Sequence, residues 1–223
     1  MKIGIICAMQ EEFDAVCHLL VSNNPRRIKQ LELSDKYEVR KYKFYNDKIF
    51  VIRSGIGQNN AMIACAKLHH EYDCSKIYNI GTCGLLKCPH EANIPEVRIG
   101  DVFYFGQNIV NLGFELNPDK YHYDDCNITN FLGHDYVLAT LNKFGVANEM
   151  KEQLSYLQTE TIFVDMEAYA ILSYCSEFAI DFDIIKVVSD YCDEEQFDAN
   201  VSKEEIYSNL TSVIEQIICY LEV

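Results

Sequence analysis

Three carboxylates follow short apolar runs of this chain, and they are the residue types that acid–base chemistry needs. Glu12 comes shortly after the run Lys2–Cys7, Glu167 follows a run that ends at Val164, and Asp190 follows a run that ends at Val188. Ligands of open α/β sheets bind outside the carboxyl ends of strands, so we expect the three acids to meet at one edge of a sheet. Clustered acids whose pKa values are driven apart can supply both an acid and a base. Acidic residues also favour helix N-termini, which leaves a purely structural role open.

Two glycine-containing segments also follow apolar runs. Residues 54–58 read Ser-Gly-Ile-Gly-Gln and residues 79–84 read Asn-Ile-Gly-Thr-Cys-Gly. We interpret both as tight turns, in which the backbone can approach a ligand and its amides can bind an oxyanion or a hydroxyl. The first segment lacks the third glycine of a dinucleotide-binding loop. Plain turns without a ligand remain the alternative for both segments.

The elements that must position these residues alternate between strands and helices, which predicts one α/β domain over residues 1–223. A hairpin turn is predicted at residues 46–47, between two aromatic-rich runs, and residues 118–130 are predicted to form an excursion loop. The predicted strands are 2–7, 37–45, 49–54, 76–80, 101–105, 154–159 and 184–189, and the predicted helices are 10–20, 60–72, 136–144, 165–178 and 203–221.

Composition excludes several classes of protein. The formal net charge of -15 argues against a nucleic-acid partner, because phosphate backbones are bound by clustered Lys and Arg. No apolar run is long enough to span a membrane, and the N-terminus lacks the pattern of a signal peptide. We therefore expect a cytoplasmic protein that contacts neither nucleic acid nor membrane.

The ten cysteines do not form a disulfide framework or a metal motif. Four of them lie inside apolar segments, where a thiol behaves as a small hydrophobe: Cys7, Cys65, Cys83 and Cys175. No pair has C-x-x-C spacing, and nothing near His69 and His70 completes a metal site. We expect neither a metal nor a cofactor.

Six segments of the chain together resemble the nucleoside phosphorylase/nucleosidase superfamily. They read MKIGIICAMQEE, SGIGQNNA, NIGTCG, RIGDV, VDMEA and VVSD, and they occur in the order of that superfamily from residue 1 to about residue 190. Among its members the chain is most similar to the 5'-methylthioadenosine/S-adenosylhomocysteine nucleosidases. The resemblance implies a three-layer α/β sandwich around a mixed, barrel-like central sheet, assembled as a homodimer.

The resemblance also implies a role for individual residues in hydrolysis of a purine nucleoside, with water as the co-substrate. Glu12 matches the general base that activates the water, and Asp190, positioned by Ser189, matches the acid that protonates N7 of the leaving purine. Glu167 matches the residue that binds the ribose hydroxyls. The remaining substrate-binding positions are matched by Met166, Thr82, Cys83, Gly84, Ile56, Gly57 and Phe163. Lys186 stands where an Arg is more usual.

The charges at these positions favour hydrolysis over phosphorolysis. Phosphorylases need cations for phosphate near the N-terminal loop and before the Gly-Ser/Thr-Cys-Gly segment, whereas this chain has Glu12 in the first place and Asn79 in the second. A carboxylate at Glu12 repels phosphate but suits a water. Arg53 is the cation that weakens this argument.

The chain departs from the nucleosidases in the segment before Val164, which is shorter than in the family. Family members carry an adenine-stacking Phe there, so the sequence predicts a remodelled purine pocket. We interpret Phe163 as a core residue rather than a stacking one, although it is the aromatic candidate in this segment. A phosphorylase and a homologue that binds a nucleoside without cleaving it remain alternatives.

Overall fold

The computed structural model describes residues 1–22, 28–34, 39–87, 97–106, 109–111, 136–142, 161–192 and 210. In chain order, its elements are β1 (Lys2–Cys7), α1 (Gln10–Ser22), β2 (Ile28–Ser34), β3 (Val39–Phe44), β4 (Asp47–Arg53), α2 (Gln58–His70), β5 (Lys76–Lys87), β6 (Val102–Phe105), β7 (Ile109–Asn111), β8 (Tyr136–Thr140), β9 (Thr161–Asp165), α3 (Ala168–Glu177) and β10 (Asp181–Asp190).

One mixed sheet contains all the described strands and branches at β5. Its main path runs β2-β3-β4-β1-β5-β9-β8-β7, while β10 pairs with β5 and carries β6 on its other side. The strands β1 and β10 run parallel to β5, whereas β9 runs antiparallel to it. Because β5 extends well beyond β1, the carboxyl ends of β1, β9 and β10 all converge on its middle, at residues 81–84.

Helices cover both faces of this sheet, and the alternation of side chains along β1 shows how. Ile3 and Ile5 pack with α1 on one face, while Ile6 belongs to the core shared with α2 and α3 on the other. Gly4 lies under α2, where an added Cβ would come within 2.6 Å of Leu68. The three-layer sandwich and the mixed sheet implied by the family resemblance are therefore confirmed.

Several predicted elements need correction. The helix predicted at 136–144 is wrong, since Tyr136–Thr140 forms strand β8. All five residues of β8 are buried, so its sequence lacks the alternation that identifies a half-exposed strand. The strand predicted at 76–80 continues to Lys87. The helix predicted from residue 165 begins at Ala168, because Thr161–Asp165 is strand β9.

Other predictions hold or lie outside the described residues. The hairpin is confirmed, since β3 and β4 are antiparallel and Phe44 pairs with Asp47. The predicted strand 154–159 and the predicted loop 118–130 lie outside the described residues, as does the predicted helix 203–221 except for Leu210, which is helical and buried. Strands β2, β7 and β9 were not predicted.

The described cysteines behave as hydrophobes. Cys7, Cys65, Cys83 and Cys175 are buried and free, as predicted, and so are Cys17, Cys74 and Cys192. Within the described ranges, none of the helices has the length and apolar character needed to cross a membrane.

Candidate active site

Glu12 is anchored by four hydrogen bonds at the junction of β1, α1 and β5. Its Oε2 accepts bonds from the backbone amides of Ala8 and Met9, at 2.9 and 3.0 Å. Its Oε1 accepts bonds from the amide and the hydroxyl of Thr82, at 2.8 and 3.1 Å. The residue is only 3% exposed. Glu12 therefore does more than favour the start of a helix, because it ties the end of β1 to the middle of β5.

Gly81 supplies the space for this carboxylate. A Cβ at Gly81 would lie 2.9 Å from Glu12 Oε1. That separation is shorter than real Cβ contacts, so any side chain at position 81 would displace the carboxylate or the strand. The glycines of segment 79–84 were predicted to make a turn, but they lie inside β5 and provide room for acidic side chains instead.

Asp190 contacts the same stretch of β5 at the end of β10. Its Oδ2 accepts a bond from the Ser189 hydroxyl at 2.7 Å, and its Oδ1 accepts one from the Cys192 amide at 2.9 Å. A Cβ at Gly84 would lie 3.0 Å from Asp190 Oδ1. Glu12 and Asp190 are thus brought to neighbouring positions of β5, and Asp190 remains partly exposed.

Glu167 reaches the site from the end of β9, which runs antiparallel to β5. Its Oε1 accepts a hydrogen bond from the Gly57 amide at 2.9 Å, which joins the start of α3 to the start of α2. Gly57 has a φ of 104°, a conformation that favours glycine. The segment 54–58 is therefore a turn, as predicted, and one of its amides binds a carboxylate of the protein itself.

A buried lysine lies among the acids. The Lys186 ammonium is 2.9 Å from Asp165 Oδ2 and 3.8 Å from Glu167 Oε2, and its side chain is 1% exposed. Asp165 is also bonded by the Thr140 hydroxyl at 2.7 Å and by the Ala168 amide at 2.9 Å. Asp165 therefore binds the first amide of α3 and also forms an ion pair that the sequence did not predict.

Burial sets the ionisation of this group. Burial raises the pKa of Glu167 to about 7. The positive charge of Lys186 and the hydrogen bond from the Gly57 amide oppose this rise, whereas the negative charges of Asp165 and Glu12 add to it. Burial alone would lower the pKa of Lys186, but the carboxylates around it outweigh burial and raise that pKa above its ordinary range. At neutral pH the lysine is therefore charged, while Glu167 titrates.

The remaining predicted residues divide into those at the site and those in the core. Met166 precedes Glu167 in the chain and is partly exposed. Ile56 precedes Gly57 and is exposed. Cys83 contributes its carbonyl, which accepts a bond from the Ser189 hydroxyl at 3.1 Å, while burial raises the pKa of its thiol.

Phe163 belongs to an aromatic core. It is 0% exposed, and its ring lies 4.4 Å from that of Phe103 and 5.3 Å from that of Phe105, measured between ring centroids. In the structure it is packed as a core residue, in agreement with the interpretation from the sequence. Strand β8 ends at Thr140 and β9 begins at Thr161, so residues 141–160, most of which lie outside the described residues, connect them.

Two charged residues of the site were not recognised as partners from the sequence. Asp165 and Lys186 form the most deeply buried ion pair among the described residues, and a lysine in the middle of the apolar run of β10 was the signal available for it. A buried lysine must be paired, but the sequence does not identify its partner. Among the described residues, no group of three His, Cys, Asp or Glu side chains is arranged to hold a metal ion.

Comparison with known proteins shows the family and the fold of the chain. The model of a family described as the phosphorylase superfamily matches residues 2–218. A 5'-methylthioadenosine/S-adenosylhomocysteine nucleosidase of Staphylococcus carnosus (strain TM300) is 27% identical over an alignment of 233 positions. The alignment covers 97% of this chain and 96% of that protein.

Solved structures of similar proteins share the fold. The futalosine hydrolase of Helicobacter pylori strain 26695 superposes with a TM-score of 0.71 at 20% identity, over 97% of this chain and 98% of its own. An S-adenosylhomocysteine nucleosidase from Streptococcus pyogenes superposes with a TM-score of 0.71 at 19% identity, over 97% of both chains. At this level of identity, the likeness concerns the arrangement of the chain in space.

Proposed function

The chain belongs to the phosphorylase superfamily, and from that membership and the geometry of its acids we propose that it is a purine nucleosidase. It hydrolyses the N-glycosidic bond of 5'-methylthioadenosine, S-adenosylhomocysteine or a related 5'-substituted adenosine. The observation that carries this proposal is the meeting of Glu12 and Asp190 on residues 81–84 of β5, with one carboxylate buried and the other accessible.

Glu12 acts as the general base. Cleavage of the glycosidic bond passes through an oxocarbenium-like state that nearby carboxylates stabilise. An ionised carboxylate accepts about four hydrogen bonds, and Glu12 already accepts four from protein groups. The Thr82 hydroxyl is the donor that can rotate away, which gives the attacking water access to Oε1.

Asp190 acts as the general acid at N7 of the departing purine. A purine anion is a poor leaving group, so protonation speeds its departure, typically about 10²–10⁴-fold. The Ser189 hydroxyl and the Cys192 amide hold one oxygen each, which fixes the orientation of the carboxyl group. Glu167 accepts hydrogen bonds from the ribose hydroxyls, and Met166 lies beside it under the sugar.

The charge of the site favours water over phosphate as the nucleophile. Glu12, Asp165 and Glu167 surround the Lys186 ammonium, and that group is fully buried against Asp165. Bringing a phosphate dianion to Glu12 would add like charge in a region where the described acids outnumber the described bases. Arg53 ends β4 opposite Cys7, the last residue of β1, and is the cation that weakens this argument.

The decisive experiment incubates the protein with a panel of purine nucleosides, with and without inorganic phosphate, and detects free base and free sugar. We expect release of adenine from 5'-methylthioadenosine in phosphate-free buffer, and loss of that release in Glu12→Gln. Release that requires phosphate, with a sugar 1-phosphate as product, would identify a phosphorylase. Binding of the nucleoside without release of base, unchanged in Asp190→Asn, would identify a non-catalytic homologue. The homodimer implied by the family resemblance remains a prediction, which light scattering tests.

A further inference from the structure

Lys186 has surroundings that a purely structural lysine does not need. Its ammonium is fully buried, and it is shared unequally between two acids: Asp165 at 2.9 Å and Glu167 at 3.8 Å. Its cross-strand partner on β5 is Gly81, the residue whose missing side chain makes room for Glu12. The lysine therefore interacts electrostatically with both of the carboxylates that the proposed reaction uses at the ribosyl group.

Asp165 holds the lysine in place, because its own position is fixed from three sides. The Thr140 hydroxyl, the Ala168 amide and the Lys186 ammonium all bind it, and the Thr140 hydroxyl in turn accepts a bond from the Tyr169 amide at 3.0 Å. A buried charge without a partner is costly, so this anchored acid is what keeps the ammonium inside the protein.

Glu167 is held less tightly than Asp165. One of its oxygens accepts the Gly57 amide, and the other is left at 3.8 Å from the ammonium. This second oxygen is the one that remains able to accept a hydrogen bond from a ligand. The ionised carboxylate is the better acceptor for two ribose hydroxyls, because protonation replaces one acceptor site by a donor and removes the negative charge.

We propose that Lys186, anchored by Asp165, is a positioning residue that favours the ionised form of Glu167 and aligns it for the ribose hydroxyls. The proposal rests on the proposed function, since it assigns a role to Lys186 within the same site. In this role the strength of the Asp165 pair controls how much of the lysine's charge Glu167 receives. The two acids thus compete for one cation, and the shorter distance to the ammonium, 2.9 Å against 3.8 Å, favours Asp165 over Glu167.

Other charged groups face this pair and must be included. Glu12 approaches from α1 and acts on both Glu167 and Lys186. The thiols of Cys7 on β1 and Cys83 on β5 also lie within electrostatic reach of Lys186, but burial raises the pKa of each well above its usual value, so both stay neutral. The charges that decide the ionisation of Glu167 are therefore those of Lys186, Asp165 and Glu12.

The test is a direct titration of Glu167 in the free protein, followed by ¹³C NMR of labelled glutamate carboxyls and assigned with Glu167→Gln. In Lys186→Met we expect the midpoint to rise by about one pH unit or more, because an adjacent opposite charge has been removed. In Asp165→Asn we expect the midpoint to fall, because a like charge is lost and the whole lysine charge turns to Glu167. A lysine without influence on Glu167 would leave the midpoint in Lys186→Met equal to that of the wild type, and that result would overturn the proposal.

Variants that fold poorly are covered by two further measurements. Lys186→Arg keeps the charge and should keep the midpoint within a few tenths of a pH unit, even where its thermal stability falls. Lys76→Met removes a second lysine with a buried stem, at the far end of β5, and should leave the Glu167 midpoint where it is in the wild type. If the Glu167 midpoint changed as much in Lys76→Met as in Lys186→Met, general destabilisation would explain both changes and the role of Lys186 would be refuted.

The rate of 5'-methylthioadenosine cleavage gives the functional readout. In Lys186→Met, the acid limb of kcat/KM should move to higher pH by the same amount as the NMR midpoint, with the loss falling mainly on KM. At a fixed pH below both midpoints, a midpoint that is higher by one pH unit lowers kcat/KM about tenfold. If the midpoints move as expected and no variant or wild type cleaves a nucleoside, the proposed function fails while the role of Lys186 in ionising Glu167 stands. If cleavage is measured and the midpoints do not move, the reverse holds.

Discussion

Two buried lysines lie at different points of the paired strands β5 and β10, and each contacts two carboxylates. Lys76, at the start of β5, is 2.9 Å from Asp181 and 2.7 Å from Asp183, and its side chain is 8% exposed. Lys186, in the second half of β10, contacts Asp165 and Glu167 at 2.9 and 3.8 Å. The lysines are alike, but their partners are not. The carboxylates around Lys76 are 61% and 45% exposed, whereas those around Lys186 are 0% and 7% exposed.

Exposure of the partners decides what each cluster can do. Water and salt screen the interaction of Lys76 with its two exposed acids, so this cluster joins the starts of β5 and β10 with a small gain in stability. Beside Lys186 no such screening reaches the acids, and a change in one charge is felt by the others. The same residue types therefore form a solvent-exposed ion-pair cluster around Lys76 and a buried cluster with coupled ionisation around Lys186.

The largest expected difference between the two ends of β10 comes from one substitution made at each. Asp190→Asn should lower kcat for 5'-methylthioadenosine by about 10²–10⁴-fold, because the general acid is lost. The Cys192 amide can still donate to the remaining oxygen of the asparagine, and the Ser189 hydroxyl can accept from its NH2 group while donating to the Cys83 carbonyl. Asp183→Asn, at the other end of the same strand, should leave kcat within about twofold of wild type. Steady-state assays of adenine release measure both. Equal effects of the two variants would remove the functional distinction between the ends.

A second prediction concerns the space beside Glu12. Gly81→Ala places a Cβ 2.9 Å from Glu12 Oε1, which must shift the carboxylate by some tenths of an ångström or more. We expect a loss of about 10–100-fold in kcat/KM, since small displacements of catalytic groups are costly. Gly106→Ala is the matched control, because an added Cβ there meets nothing within 4 Å. Wild-type kinetics in Gly81→Ala would show that the position of Glu12 is not critical for the reaction.

A third prediction concerns stability rather than rate. Burial raises the pKa of Glu167 to about 7, which is above its value in the unfolded chain. The folded state therefore binds the proton more tightly, and this group's contribution to stability is lost as pH rises through about 7. Glu167→Gln, which cannot ionise, should be more stable than wild type at pH 8 by about 1 kcal/mol or more, or roughly 2–4 °C in Tm.

The gain in Glu167→Gln should shrink toward pH 5, where wild-type Glu167 is protonated as well, and thermal melts across this range measure it. Nucleoside binding should weaken in the same variant. A variant that is less stable than wild type at pH 8 would mean that the ionised carboxylate is favourable in the fold, contrary to the direction given by its burial.

The sequence identified the acids of this site but not how they are held. Glu12, Glu167 and Asp190 were found because each follows an apolar run, and strand ends are where side chains leave the sheet. Their common edge was predicted for parallel strands, whereas β9 is antiparallel to β5. The acids meet because β5 is long enough for strands to end against its middle, and strand length is poorly encoded when glycines interrupt the pattern.

The errors have three physical causes. Residues 136–140 are buried on both faces, so apolar side chains occur without a period that separates strand from helix. Gly81 and Gly84 were interpreted as freedom to turn. In β5 their use is the absence of a side chain, which leaves room for Glu12 beside Gly81 and for the Cys192 thiol and Asp190 beside Gly84. The Asp165–Lys186 pair joins β9 to β10 across the sheet, and contacts of that kind are not visible in a local pattern.

The smallest expected effect is the one that tests the comparison most directly. In Lys76→Met the apolar stem remains, and Asp181 and Asp183 are free to be hydrated once the ammonium is gone. The loss in unfolding free energy should therefore stay within about 1 kcal/mol, as for exposed ion pairs. In Lys186→Met, Asp165 is left buried at 0% exposure with its counterion removed, and the loss should be several-fold larger. Urea unfolding of both variants at pH 8 measures the two losses side by side. Equal losses would mean that burial of the lysine itself, rather than exposure of its partners, governs the energy of these clusters.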